Sequence, residues 1–167
     1  MVKIIVAGKP DYEEILTQTR CKHDIKNRQV FDYSQSEISE YSYYKEKYAG
    51  DGVKFRNDPN PIYNCHGMTF ASSRTSVGPE SIDMIIEDDG YTQIEDFREV
   101  EPGDVVLYHS ELGEVSHSGV VVAVPSKEDL NTWVISKWGK FSEAYHRLLD
   151  CPYAKGIDHL SYWRITK

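Results

Sequence analysis

From Gly103 onward the chain is a succession of short β-branched and aromatic runs broken by turn residues, and this limits the folds open to it. The runs are 103–109 (Gly-Asp-Val-Val-Leu-Tyr-His), 115–124, 132–138 and 159–165. The connections Glu111-Leu112-Gly113-Glu114 and Pro125-Ser126-Lys127-Glu128-Asp129 have hairpin length, so successive strands are expected to run antiparallel.

Ahead of this meander the spacing is mostly helical. Residues 2–7 read as a buried strand and 11–20 as a short helix with Ile15 and Leu16 on its apolar side. A second helix is predicted over 36–48, capped by Ser34 or Ser36, with Ile38, Tyr41, Tyr44 and Tyr48 in a stripe. These belong to an unusual set of 12 tyrosines, and their rings are expected to cover a core, with a substrate-facing aromatic surface as the alternative. Residues 50–61 are turn material. Asn64 is a good N-cap for a helix that holds Cys65 in its first turn and offers Met68, Phe70 and Ala71 for packing. Gly78-Pro79-Glu80 opens another helix with Ile82, Ile85 and Ile86 on one stripe, ended by Asp89-Gly90. Helices first and an antiparallel sheet afterwards make an α+β pattern, and 167 residues fit a single domain.

Charge narrows the partners. Lys and Arg number 19 against 27 Asp and Glu, a net charge of −8 that disfavours a phosphate backbone or an anionic membrane surface. The apolar run at the amino end stops at Ala7, too short for a signal peptide, and no stretch reaches the ~20 apolar residues of a membrane span. A cytoplasmic setting with reduced thiols is therefore the expectation, and Cys21, Cys65 and Cys151 are expected to be free. Cys65-His66 with His109 or His117 matches no closed zinc spacing, so neither metal nor cofactor is expected. His23 and His159 read as solvated surface.

The three cysteines differ in context. Cys21 follows the first helix and Cys151 precedes Pro152 in a loop, whereas Cys65 lies at a helix start, where the dipole and free N–H groups favour a thiolate. A base for it is available in Ser116-His117-Ser118-Gly119, a polar insertion into an apolar strand. Alternation puts Val115, His117 and Gly119 on one face, and the small Gly119 leaves room beside the imidazole for another element.

Asn64-Cys65-His66-Gly67, then Pro102-Gly103-Asp104-Val105-Val106-Leu107-Tyr108, then Ser116-His117-Ser118-Gly119-Val120-Val121-Val122 resembles the NlpC/P60 and CHAP group of papain-like cysteine peptidases and amidases. Their patterns run Asp-Cys-Ser-Gly, Pro-Gly-Asp-Leu-Val and His-Val-Gly-Ile, and the likeness covers roughly residues 60–140. It implies a papain-like fold in which 61–167 form the catalytic core and 1–60 an N-terminal extension. It also implies a nucleophile Cys65, a base His117, and a third residue on the following strand, where Ser136 falls, with His146 and Glu143 as rivals. The Cys65 N–H is the expected oxyanion donor, with Tyr63 or Asn64 as a second. Lys137 and Trp138 read equally as a solvated cation beside a packed ring and as substrate contacts.

The function expected on this basis is a thiol hydrolase acting on a peptide or amide. The alternatives are an inactive binding or immunity-type module on the same fold, and an acyltransferase using the same pair.

Overall fold

The computed structural model describes residues 12–50, 52–127 and 131–166. The strand expected at 2–7 lies outside them. The strands are β1 (Tyr12–Glu13), β2 (Asn27–Val30), β3 (Val53–Phe55), β4 (Ser76–Val77), β5 (Tyr91–Ile94), β6 (Val105–His109), β7 (Val115–Ala123), β8 (Trp133–Lys137), β9 (Glu143–Arg147) and β10 (Leu160–Ile165). The α-helices are α1 (Gln35–Lys47), α2 (Cys65–Phe70) and α3 (Ile82–Asp88). All strand pairs are antiparallel: one sheet has the order β3-β9-β8-β7-β6-β10-β5, and a small one joins β1, β2 and β4. The fold is thus α+β, with few helices.

Strand alternation sends the large sheet's side chains into two apolar clusters. Val106, Tyr108, Val121, Val134 and Ala144 join Trp138, Leu148 and Tyr162 on one side, while Val105 and Leu107 meet Ala71 of α2, Val77, and Ile82 and Ile85 of α3 on the other. Burying Ile82 and Ile85 almost completely is worth about 2–3 kcal/mol each, which explains how a seven-residue helix persists.

Helix α1 has no fully buried residue. Its start is fixed by a capping box, in which Ser34 accepts from Glu37 N–H and the Glu37 carboxylate accepts from Ser34 N–H. Lys140, 2.6 Å from Glu37, holds that carboxyl near 2 and ties the helix to the turn after β8. Tyr44 and Tyr48 pack edge-on against Trp138, and the Tyr41 hydroxyl meets Ser142 Oγ at 3.1 Å. The tyrosine stripe covers the core as its spacing suggested, but Ile38 stays exposed.

The helix expected over 11–20 is not formed in its described part. Asn27 reaches across from β2, donating to the Ile15 carbonyl at 2.8 Å and accepting from the Ile15 N–H at 3.1 Å, so its amide acts as a strand partner. Leu16 is 78% exposed, which leaves no apolar face to repay helix formation.

Helix α2 comes close to the backbone of Thr75, and a Cβ on Gly67 would collide with the Thr75 carbonyl oxygen. Gly67→Ala is expected to cost about 3 kcal/mol, read as a lowered midpoint in urea unfolding, against less than half of that for Gly50→Ala, where space is open.

Candidate active site

Cys65 is the first residue of α2, and Asn64 caps it. The Asn64 side-chain oxygen accepts from Gly67 N–H at 2.8 Å and from Val77 N–H at 3.1 Å, and its amide donates to the Val77 carbonyl at 2.8 Å. A second set of bonds ties the helix to β7. Thr69 donates to the Cys65 carbonyl at 3.0 Å, Ser118 donates to Thr69 at 3.1 Å, and Ser118 Oγ is 2.9 Å from His66 Nδ1. With the Ser118 proton committed to Thr69, His66 Nδ1 is the donor in that pair.

Pairing of β7 with β8 runs from Ala123↔Trp133 to Gly119↔Ser136 and stops there. The next residue of β7, Ser118, lies against α2 through His66 and Thr69, and the next residue of β8, Lys137, lies over the Tyr63 ring. Burial pushes the Cys65 thiol up to about 11, opposed chiefly by the N–H groups of Ser118, of His66 and of Cys65 itself.

His117 is the residue before Ser118, completely buried, with its ring stacked on Tyr153 at 4.1 Å and lying 5.2 Å from Tyr108. Neither ring nitrogen has a hydrogen-bond partner among the described residues. Desolvation, then the neighbouring His146 and His66, hold it well below the usual imidazole range. The neutral ring is therefore the form present near neutral pH, able to take a proton. The room left by Gly119 is used by β8: a Cβ there would meet Val134 Cγ1 at 2.6 Å, the Ile135 carbonyl at 2.9 Å and Ser136 Cβ at 3.0 Å.

The three candidates for third residue are engaged with other groups. His146 Nδ1 lies 2.8 Å from the Arg147 carbonyl and so donates to it, which leaves Nε2 to accept from Ser136 at 2.7 Å. Neither is bonded to His117. Glu143 accepts from the Tyr63 hydroxyl at 2.8 Å and pairs with Arg56 at 3.1 Å. Tyr63 and Asn64, expected as oxyanion donors, thus spend their side-chain donors on Glu143 and Val77, and the first-turn amides of α2 remain for that role.

Ser118, against His66 and Thr69 of α2, and Tyr153, stacked on His117, are the neighbours that sequence reasoning did not place in the site. Lys137 is fully buried rather than solvated. Its signal was present, since it lies inside a run of strand residues, whereas Tyr153 comes from a loop with no pattern of its own. Cys21 is exposed and Cys151 buried, its thiol raised to about 12 by burial. A cavity of about 500 Å³ lies beside the helix start, lined by Asn64, Val77, Gly78, Gly139 and Lys140 and by Lys26 and Arg28 of the small-sheet side. Among the described residues no cluster of His, Cys, Asp and Glu is placed to hold a metal, and no helix is long and apolar enough to cross a membrane.

No family model, curated protein or solved structure matches the chain.

The buried imidazoles set the response to acid. His66 and His146 are each lowered from 6.5 to about 4, mainly by burial, so the folded state binds fewer protons than the unfolded chain between those values. Their contribution is complete above pH 6.5 and is lost as pH falls toward 4. By pH 5 about 2 kcal/mol per imidazole should have gone, measured as urea midpoints at pH 7 and 5, and His146→Gln should flatten that loss.

Proposed function

We propose that the chain is a thiol hydrolase, a cysteine peptidase or amidase of NlpC/P60 or CHAP type, in which Cys65 is the nucleophile and His117 the base. The observation that carries this reading is the fully buried imidazole of His117 with both nitrogens unpaired, one residue before Ser118, whose hydroxyl bonds His66 and Thr69 of the helix that Cys65 opens. Leaving such a ring without partners costs stability, on the order of 1–3 kcal/mol per buried unsatisfied group, which is understandable if the partner is the thiol proton during reaction.

In the proposed cycle Cys65 Sγ attacks an amide carbonyl while His117 accepts the thiol proton. The same ring returns that proton to the leaving amine, and water cleaves the thioester. The N–H of Cys65 faces the developing oxyanion. Tyr153 covers the imidazole in the closed state, so its movement away from His117 is part of substrate entry. Asn64 and Gly139, on the wall of the adjacent cavity, mark the side from which a peptide or amide approaches.

A second reading, a binding module that no longer turns over, is favoured by the closure of Cys65 and by the engagement of Ser136 and His146 with each other. Acyl transfer would use the same two residues with another acceptor.

Turnover of a peptide-amide library decides among these. The hydrolase predicts loss of activity in Cys65→Ala and a loss of about 10²–10⁴-fold in His117→Ala, with a thioester trapped by hydroxylamine on the wild type. Full turnover by Cys65→Ala would remove Cys65 from the reaction. A folded wild type that neither turns over nor forms the thioester would leave the binding reading.

A further inference from the structure

An imidazole that serves as a base is ordinarily held in one plane by a hydrogen bond to its second nitrogen. His117 has no such bond. Among the described residues neither ring nitrogen has a partner, and the three candidates for that role bond elsewhere, Ser136 and His146 to each other and Glu143 to Tyr63 and Arg56. What holds the ring is flat contact. Tyr153 lies on it with ring centres 4.1 Å apart and planes 14° from parallel, while Tyr108 meets it at 5.2 Å and 58°. Tyr153 sits in the turn that the Ala154 N–H closes on the Cys151 carbonyl at 3.3 Å, and its ring is only half-buried, so it is the outer cover of a fully buried base. The hydroxyl end of that ring reaches Gly139, where a Cβ would stand 3.6 Å from the Tyr153 oxygen. Gly139 also lines the cavity beside the helix start, so the tyrosine spans from the imidazole to the cavity wall.

We infer that the Tyr153 ring is a stand-in for the leaving half of the substrate, and that the site selects a peptide or amide whose leaving amine carries an aromatic side chain. This rests on the reading of Cys65 as nucleophile and His117 as base, and names the substrate class for it. The base must reach the leaving nitrogen to protonate it, so the amine half of the substrate comes against the same imidazole that Tyr153 now covers. Rings stacked at 4.1 Å leave no room for a group between them, and Tyr153 has to give way. The slot it vacates is flat and one phenol ring long, bounded by His117 and Gly139. An aromatic side chain on the leaving amine fills that slot and keeps the imidazole in the same plane. An aliphatic one leaves a ring with no hydrogen bond free to turn. The preference therefore falls on kcat, where the orientation of the base counts, and not on KM alone. Tyr153 exchanges no proton: the thiol proton passes to His117 and from there to the leaving nitrogen as the C–N bond breaks.

The test reads the His117 ring by proton–carbon NMR and turnover by the residue on the leaving side. In the wild type the carbon-bound protons of His117 should be shifted upfield by the aromatic ring over them. Tyr153→Phe should keep that shift, and Tyr153→Ala should lose it and broaden the signals. Adding N-acetylphenylalaninamide to Tyr153→Ala should restore the upfield shift, and N-acetylleucinamide should not. Among peptides that differ only in the residue after the scissile bond, Phe, Tyr or Trp should raise kcat over Leu by about two- to tenfold, the worth of one aromatic pair. Tyr153→Ala should lower KM for all of them, since no ring has to be displaced, and keep that ratio. An unchanged His117 signal in folded Tyr153→Ala, equal effects of the two amides, or Leu peptides turned over as fast as Phe peptides would each overturn the inference. If Tyr153→Ala does not fold, the loss of the shift and its return with N-acetylphenylalaninamide are read on Tyr153→Leu, which fills the space without a flat face. The NMR arm needs no turnover, so activity that survives in Cys65→Ala would end the hydrolase reading while the ring measurement still decides the slot.

Discussion

The placement of Cys65 depends on the side chain of Asn64. That one amide caps α2 through Gly67 and bonds both backbone groups of Val77 on β4, so the helix start is tied to the small sheet before any apolar contact is counted. A six-residue helix has almost no stability of its own, since nucleation uses most of the hydrogen bonds it can make. The cap, the close approach of Gly67 to Thr75 and the hydroxyl chain from His66 through Ser118 and Thr69 to the Cys65 carbonyl together fix it in position. Removing any of these links would let the sulfur move relative to β7, and every chemical reading of the site presumes that it does not move.

The second constraint is the parting of β7 from β8. From Gly119↔Ser136 the register runs inward without a break to Val121↔Val134, shifts at a bulge before Ala123↔Trp133, and the strands have no paired residues beyond Gly119↔Ser136, although both continue as strand. Backbone donors that would have been consumed by a ladder are freed there, and the Ser118 N–H turns to a sulfur atom instead. A site at the end of a ladder gains donors at no cost to the core, because Val121 and Val134 still pair and pack two residue pairs further in.

How much of this was legible beforehand follows from the range of the interactions. Strands β6, β7, β8 and β10, the cap at Asn64 and the stripe of α3 rest on neighbours within a few residues, and those strands' boundaries fall within one or two positions of the expected ones, whereas β9 has no counterpart among the expected strands. The failed helix before Arg20 is the opposite case, since a side chain 12 residues away supplied the hydrogen bonds that a local pattern assigns to a helix. The candidates for a third residue show the same range effect. Ser136 and His146 both suit a partner of His117 by sequence, and their register on adjacent strands bonds them to each other. Glu143 is held by Tyr63 and Arg56, contacts across 80 and 87 residues that no local pattern announces.

The reaction proposed for Cys65 and His117 poses an electrostatic problem with a definite direction. In the closed state burial favours the uncharged forms of Cys65 and His117 and weakens the charge on Lys137. Moving the thiol proton to His117 creates two further charges in the same dry volume, so the transfer is uphill until something else compensates. An amide carbonyl beside the sulfur does so by converting the thiolate into a covalent bond and passing the charge to an oxygen near the first-turn amides of α2. The closed thiol and the proposed reaction are therefore compatible: the same burial that keeps Cys65 inert without a carbonyl strengthens each charge interaction once one is present.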